Sequence, residues 1–181
     1  MTFRQFVGGI GVATLGLVVA ASPASAQSAD AVIELTNIEG SSTIQGKEGM
    51  IRVLSYSWGV SNSATTGGRD AGKAVFSDLY LMIGNDKAVP KLFAKTAMGD
   101  VIPKATFTVF KTTSGKVQDL IEIVLENVIL TGFQVGGSAD LPTYSVSMSF
   151  GTISLRVWEQ RPNGSYVPGT PVSWDIIKNQ Q

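Results

Sequence analysis

Carboxylates, hydroxyls and glycine-rich stretches are the chemistry-bearing groups of this chain, because its 181 residues include neither histidine nor cysteine. That absence removes the usual general base, the commonest metal ligand, the thiolate nucleophile and every Ser-His-Asp arrangement. The aspartates at 70, 78, 86, 100, 119 and 140 are scattered, with no Asp-x-Asp-x-Asp run to cup a hard cation. Glu122 and Glu126 read as solvated, or paired at a subunit contact, rather than as an acid/base couple. Gly67-Gly68-x-x-x-Gly72-Lys73-Ala74 has the glycines of a phosphate loop but the wrong spacing. Alanine stands where a Ser or Thr would hold magnesium, and no helical pattern follows. Tyr56 and Trp58, two apart, could stack a sugar or a base. Trp and Tyr equally fill cores and interface centres, and that reading is preferred for Trp58, Trp158 and Trp174. The residues therefore predict no catalytic group, no metal site and no cofactor.

Composition narrows the classes further. Lys and Arg together number 14, as do Asp and Glu, so the formal net charge is zero. A duplex-binding protein normally needs a basic excess to neutralise phosphates. Apolar residues at 44% and charged residues at 15% suit one domain with a packed core. Near-zero charge also lowers the repulsion between copies of one chain and favours association.

Residues 1–26 form a separate segment. Arg4 is their only charge, an apolar run spans Phe6 to Ala21, and Ala24-Ser25-Ala26 precedes Gln27. A positive head, an apolar middle and small residues before a cut are the parts of a secretory signal peptide. The expectation is cleavage after Ala26, a mature domain over residues 27–181, and a secreted or periplasmic location without a stable membrane span.

From Asp30 onward the apolar pattern has mostly period two, as half-buried strands require. Tyr144, Val146, Met148 and Phe150 alternate with serines; after Gly151 the phase slips and Ile153, Leu155 and Val157 carry it on. This predicts one long strand over about 143–160 with a bulge or bend near Gly151. Further strands are expected at 50–58, 74–83, 105–111, 120–130 and 172–177. The stretch 119–130 also has helical glutamate spacing, but its β-branched residues favour a strand. Thr112 to Gly115 reads as a hairpin turn. One amphipathic helix is expected over about 87–98, with Pro90 near its start, Gly99 past its end, and Val89, Leu92, Phe93 and Ala97 on the packed face. Residues 61–72 form a long, polar, glycine-rich loop, of the kind that is functional or mobile.

Taken in order, these segments resemble a known family. Ile51-Arg-Val-Leu-Ser-Tyr-Ser-Trp58-Gly-Val, a Ser/Gly-rich loop and Gly72-Lys73 come first. Phe76-Ser-Asp-Leu, Asp86-Lys-Ala-Val-Pro90-Lys-Leu, Ala97-Met-Gly99 and Ile102-Pro-Lys-Ala-Thr follow. Ile123-Val-Leu-Glu-Asn-Val-Ile-Leu and Val172-Ser-Trp174-Asp-Ile close the match, which covers about 31–178. The set resembles the Hcp family, the tube proteins of bacterial type VI secretion systems. The resemblance implies a mainly β fold: a β-barrel of two antiparallel sheets with one flanking helix. It implies a non-catalytic protein that forms hexameric rings, which stack into a tube, carry effectors in the lumen and meet a spike protein at the tip. It places the subunit contact at the extended loop, here Ser61, Asn62, Gly67, Gly68, Arg69, Asp70 and Gly72, with Trp58 beside it. Tube subunits of the family lack a signal peptide, so residues 1–26 depart from its pattern. The alternative is an exported barrel acting as a binding or adhesion module apart from any secretion machine.

Overall fold

The computed structural model describes residues 29–62, 73–113, 115–137 and 141–180. Residues 1–28, with the expected signal peptide and its cleavage point, lie outside the described residues, as does the loop stretch 63–72. Among the described residues no helix is long and apolar enough to cross a membrane.

The elements follow in the order β1 Asp30–Leu35, β2 Ile51–Ser57, β3 Val60–Asn62, β4 Ala74–Phe76, β5 Leu79–Ile83, α1 Val89–Met98, β6 Val101–Thr113, β7 Lys116–Gly136, β8 Thr143–Ser149, β9 Thr152–Gln160, β10 Tyr166–Pro168 and β11 Val172–Asp175. All strand pairings are antiparallel. The sheet runs β7-β6-β1-β2-β5-β8, and β8 returns to β7, so six strands close into a barrel. Among the described residues the mainly β barrel with one helix is the expected fold.

The architecture turns on β7. Its 21 residues pair with β6 along one edge. On the other edge β9 takes Ile121 to Glu126 and β8 takes Ile129 to Gly136. The stretch 119–130, whose β-branched residues outweigh its helical glutamate spacing, is thus strand throughout. β8 and β9 follow one another along β7 with the break at Phe150 and Gly151, where the alternation slips. The Gly151 amide donates to the Glu126 carbonyl at 3.0 Å, while Asn127 opposite takes a left-handed φ of 54°. A Cβ on Gly151 would come within 3.3 Å of Asn127 Cβ, which leaves little room for any larger residue at the break.

The inward row of the barrel is read directly from the register. Ile33, Phe107 and Ile123 are partners, as are Leu81 and Val146, and all five are buried. Burying such side chains stabilises by about 1.5–3 kcal/mol each relative to exposure. The helix starts after Ala88 with Pro90 in its first turn and ends at Gly99 in the left-handed conformation (φ 66°), close to the expected bounds. Its packed face differs from the expected one. Leu92 and Ala88 are buried, but Phe93 is 60% exposed and Ala97 is also exposed. Phe93 contributes instead through an edge-on contact with Phe133, centroids 5.8 Å apart.

A loop between β1 and β2 straps the outside of the barrel. Gly40 and Gly49 pair through a 2.7 Å backbone hydrogen bond, and the Ser42 amide donates to the Met50 carbonyl. The strap carries Lys47, whose Nζ lies 2.9 Å from Asp119 Oδ1 and 5.9 Å from the centre of the buried Phe110 ring. With both partners largely buried, this pair fastens the strap to the start of β7.

Candidate assembly surface

The expected strand over 74–83 is broken at Ser77 and Asp78, and its first part is β4, which pairs only with β3. Val60, Ser61 and Asn62 oppose Phe76, Val75 and Ala74. These two strands form a short ribbon of their own, separate in its pairing from the barrel sheet. Ser77 fixes its base: the Gly59 amide donates to Ser77 Oγ at 2.9 Å, and the Ser77 amide donates to the Gly59 carbonyl at 2.9 Å.

Past β7 the sheet continues into a wing of β9, β10 and β11. The barrel's inward row continues with it: Ile123 faces Leu155, which faces Val172, and Leu125 faces Ile153, which faces Trp174. The ribbon lies over this row. Trp58 stacks on Phe76 at 6.4 Å between centroids, and Phe76 meets Trp174 at the same separation. Between ribbon and wing an open groove of about 380 Å³ remains, lined chiefly by Trp58, Val60, Phe76, Leu155, Val172 and Trp174. The indole N–H groups of Trp58 and Trp174 are buried without an acceptor among the described residues. Such donors cost about 1–3 kcal/mol.

Of the residues expected at a subunit contact, Trp58, Ser61 and Asn62 line this groove. Gly67, Gly68, Arg69, Asp70 and Gly72 lie outside the described residues. Trp58 is partly buried against the core rather than displayed on the surface. Glu122, expected as solvated or at a contact, pairs within the chain with Arg156 at 3.6 Å. The sequence reading missed Phe76, Leu155 and Val172 as groove residues. For Leu155 the signal was the phase slip at Gly151, which carries the inward row onto β9.

Electrostatics at the wing's end are local. Asp175 Oδ1 accepts from the Lys178 amide at 2.9 Å, and Oδ2 lies 3.0 Å from Lys178 Nζ. The backbone hydrogen bond from Lys178, followed by its ammonium, holds the Asp175 carboxyl below the usual carboxylate range. Among the described residues no group of His, Cys, Asp or Glu is placed to hold a metal ion.

Residues 32–157 match the family described as type VI secretion system effector, Hcp. The chain belongs to the Hcp family. That membership places it with the type VI secretion tube proteins, structural components not known as enzymes. Among curated proteins none matches the chain. Several solved structures share the fold. A type six secretion system protein superposes with a TM-score of 0.77 at 24% identity, covering 84% of this chain and 99% of its own. Hcp1 from Salmonella typhimurium gives 0.69 at 22%, covering 84% and 97%. A type VI secretion system effector from Yersinia pestis gives 0.63 at 22%, covering 81% and 99%.

Proposed function

We propose that this Hcp-family chain is a self-assembling tube subunit that forms hexameric rings, that the rings stack, and that the resulting lumen carries effectors beneath a spike protein. The observation that carries the reading is the open apolar groove between ribbon and wing. It continues the barrel's own inward row, yet Val172 on its rim is 56% exposed and Val60 is 53% exposed. Such a patch beside a chain extension suits contact with another protein surface. A neighbouring copy is the occupant that family membership favours. In a closed ring each copy both offers and receives one heterologous contact. The glycine-rich stretch 63–72, which lies between β3 and β4 in the sequence, would add to that contact or to the one between rings.

Export is a separate part of the proposal. The segment ending Ala24-Ser25-Ala26 directs the chain out of the cytoplasm with cleavage before Gln27. Electron microscopy of negatively stained protein spanning 27–181 tests assembly. Annular particles with a central hole support it, and featureless small globules contradict it. Mass spectrometry of the native chain tests cleavage, which an intact Met1 would refute.

A further inference from the structure

A second concave surface lies on the outside of the barrel. Strands β2, β5, β8 and β7 cross it, and their register sets two outward rows. Ser55, Met82, Ser145 and Gln134 form one; Ser57, Tyr80, Ser147 and Gly132 form the other. Together they enclose an open groove of about 250 Å³. Gly132 makes the depth: a Cβ there would stand 2.6 Å from Ser147 Oγ, so any side chain would push into the serine. The ladder between β7 and β8 shifts register at this point, between Leu130 and Gly132. Tyr80 stands beside the depression with 54% of its surface exposed.

We infer that this groove is a binding site for a neutral oligosaccharide. The lining explains the choice. It contains no charged side chain, so phosphates and acidic or basic ligands find no counter-charge. Each of its four strands is hydrogen-bonded on both edges, so an extended peptide has no edge to extend. What remains is an exposed aromatic ring flanked by hydroxyls and one amide. The side chains of Ser55, Ser57, Tyr80, Ser145 and Gln134 are engaged by no other described side chain or backbone group. A sugar ring has an apolar C–H face that can lie on Tyr80 and a polar rim that can exchange hydrogen bonds with these groups. Small ligand sites commonly combine an aromatic wall with a few placed polar groups in this way. The inference concerns the face of one protomer and holds whether or not rings form.

Ligand-observed saturation-transfer NMR on the 27–181 protein tests it, with maltotetraose, cellotetraose and chitotetraose as separate probes. Transfer to at least one of them is expected. Tyr80→Ala and Ser145→Lys should weaken that binding roughly threefold to tenfold, the size of one lost stacking or hydrogen-bonding contact. Both positions face outward, and unchanged far-ultraviolet circular dichroism and melting would show that the barrel is intact. Gly132→Ser offers a third variant that fills the groove without adding charge. No transfer to any of the three sugars at millimolar concentration overturns the inference. So does transfer that all three variants leave unchanged.

Discussion

Phe76 on the ribbon and Trp174 on the last strand meet at 6.4 Å between ring centroids, with their planes inclined by 40°. This contact joins two parts of the chain that share no ladder hydrogen bonds, since β4 pairs only with β3 and β11 pairs with β9. It fastens the ribbon to the wing that continues the barrel core. Trp174→Ala should destabilise the protomer by about 2 kcal/mol, below the full cost of a core aromatic because the ring is only partly buried. At this size that corresponds to a fall in melting temperature of roughly 4–8 °C. Calorimetry of the protomer at low concentration checks it; an unchanged melt would show that the ribbon is held elsewhere.

Val172 separates assembly from folding. It sits on the rim of the groove and is largely exposed, so Val172→Asp should change protomer stability by no more than about 0.5 kcal/mol. The same carboxylate at an apolar subunit contact should weaken association by about 2 kcal/mol or more. Light scattering should then show smaller particles than the wild type at equal concentration, with equal melting of the isolated protomers.

Gly40 is a packing requirement rather than a hinge. A Cβ at this position would collide with the backbone of Met50 and Ile51, where the strap returns to the barrel. Backbone cannot swing aside as a flexible side chain can. Gly40→Ala should therefore cost about 2–4 kcal/mol, read as a lower denaturant midpoint with an unchanged slope. A loss below about 0.5 kcal/mol would show that the strap yields easily.

The turn after β11 should respond to acid. The folded-state pKa of Asp175 is depressed by the Lys178 amide and ammonium. Its contribution is therefore present above the ordinary aspartate value of about 3.9 and is lost as pH falls through the lower folded value. The Lys178 amide should be protected relative to neighbouring amides near neutrality and lose that protection once pH falls below the depressed folded value, under about 3.9. Asp175→Asn should show the faster relative exchange already at neutral pH.

Local rules carried much of this fold. Alternation located the strands because one face of each is buried, and Pro90 and Gly99 bracketed the helix because proline fits its first turn and Gly99 adopts a positive φ beyond its last. Gly151 marked the break between β8 and β9 through a one-residue change of phase. Partnering was hidden. That β7 serves β6, β8 and β9 depends on contacts distant in sequence, which no local period reports. For the same reason Phe93 was placed on the packed face of α1, whereas it lies at the shoulder against Phe133. The candidate surface was half legible. Trp58, Ser61 and Asn62 stood next to a conspicuous loop, but the groove's other wall comes from Leu155, Val172 and Trp174, a hundred residues away in the chain on the order of a domain length.

Native mass spectrometry of the 27–181 protein at micromolar concentration tests the central claim most directly, because it counts subunits. The account predicts a dominant species of six copies, dissociating to single chains in the Val172→Asp variant. A single-chain species at every concentration up to about 100 μM, roughly the range where a contact of this kind must hold to build a ring, would contradict it.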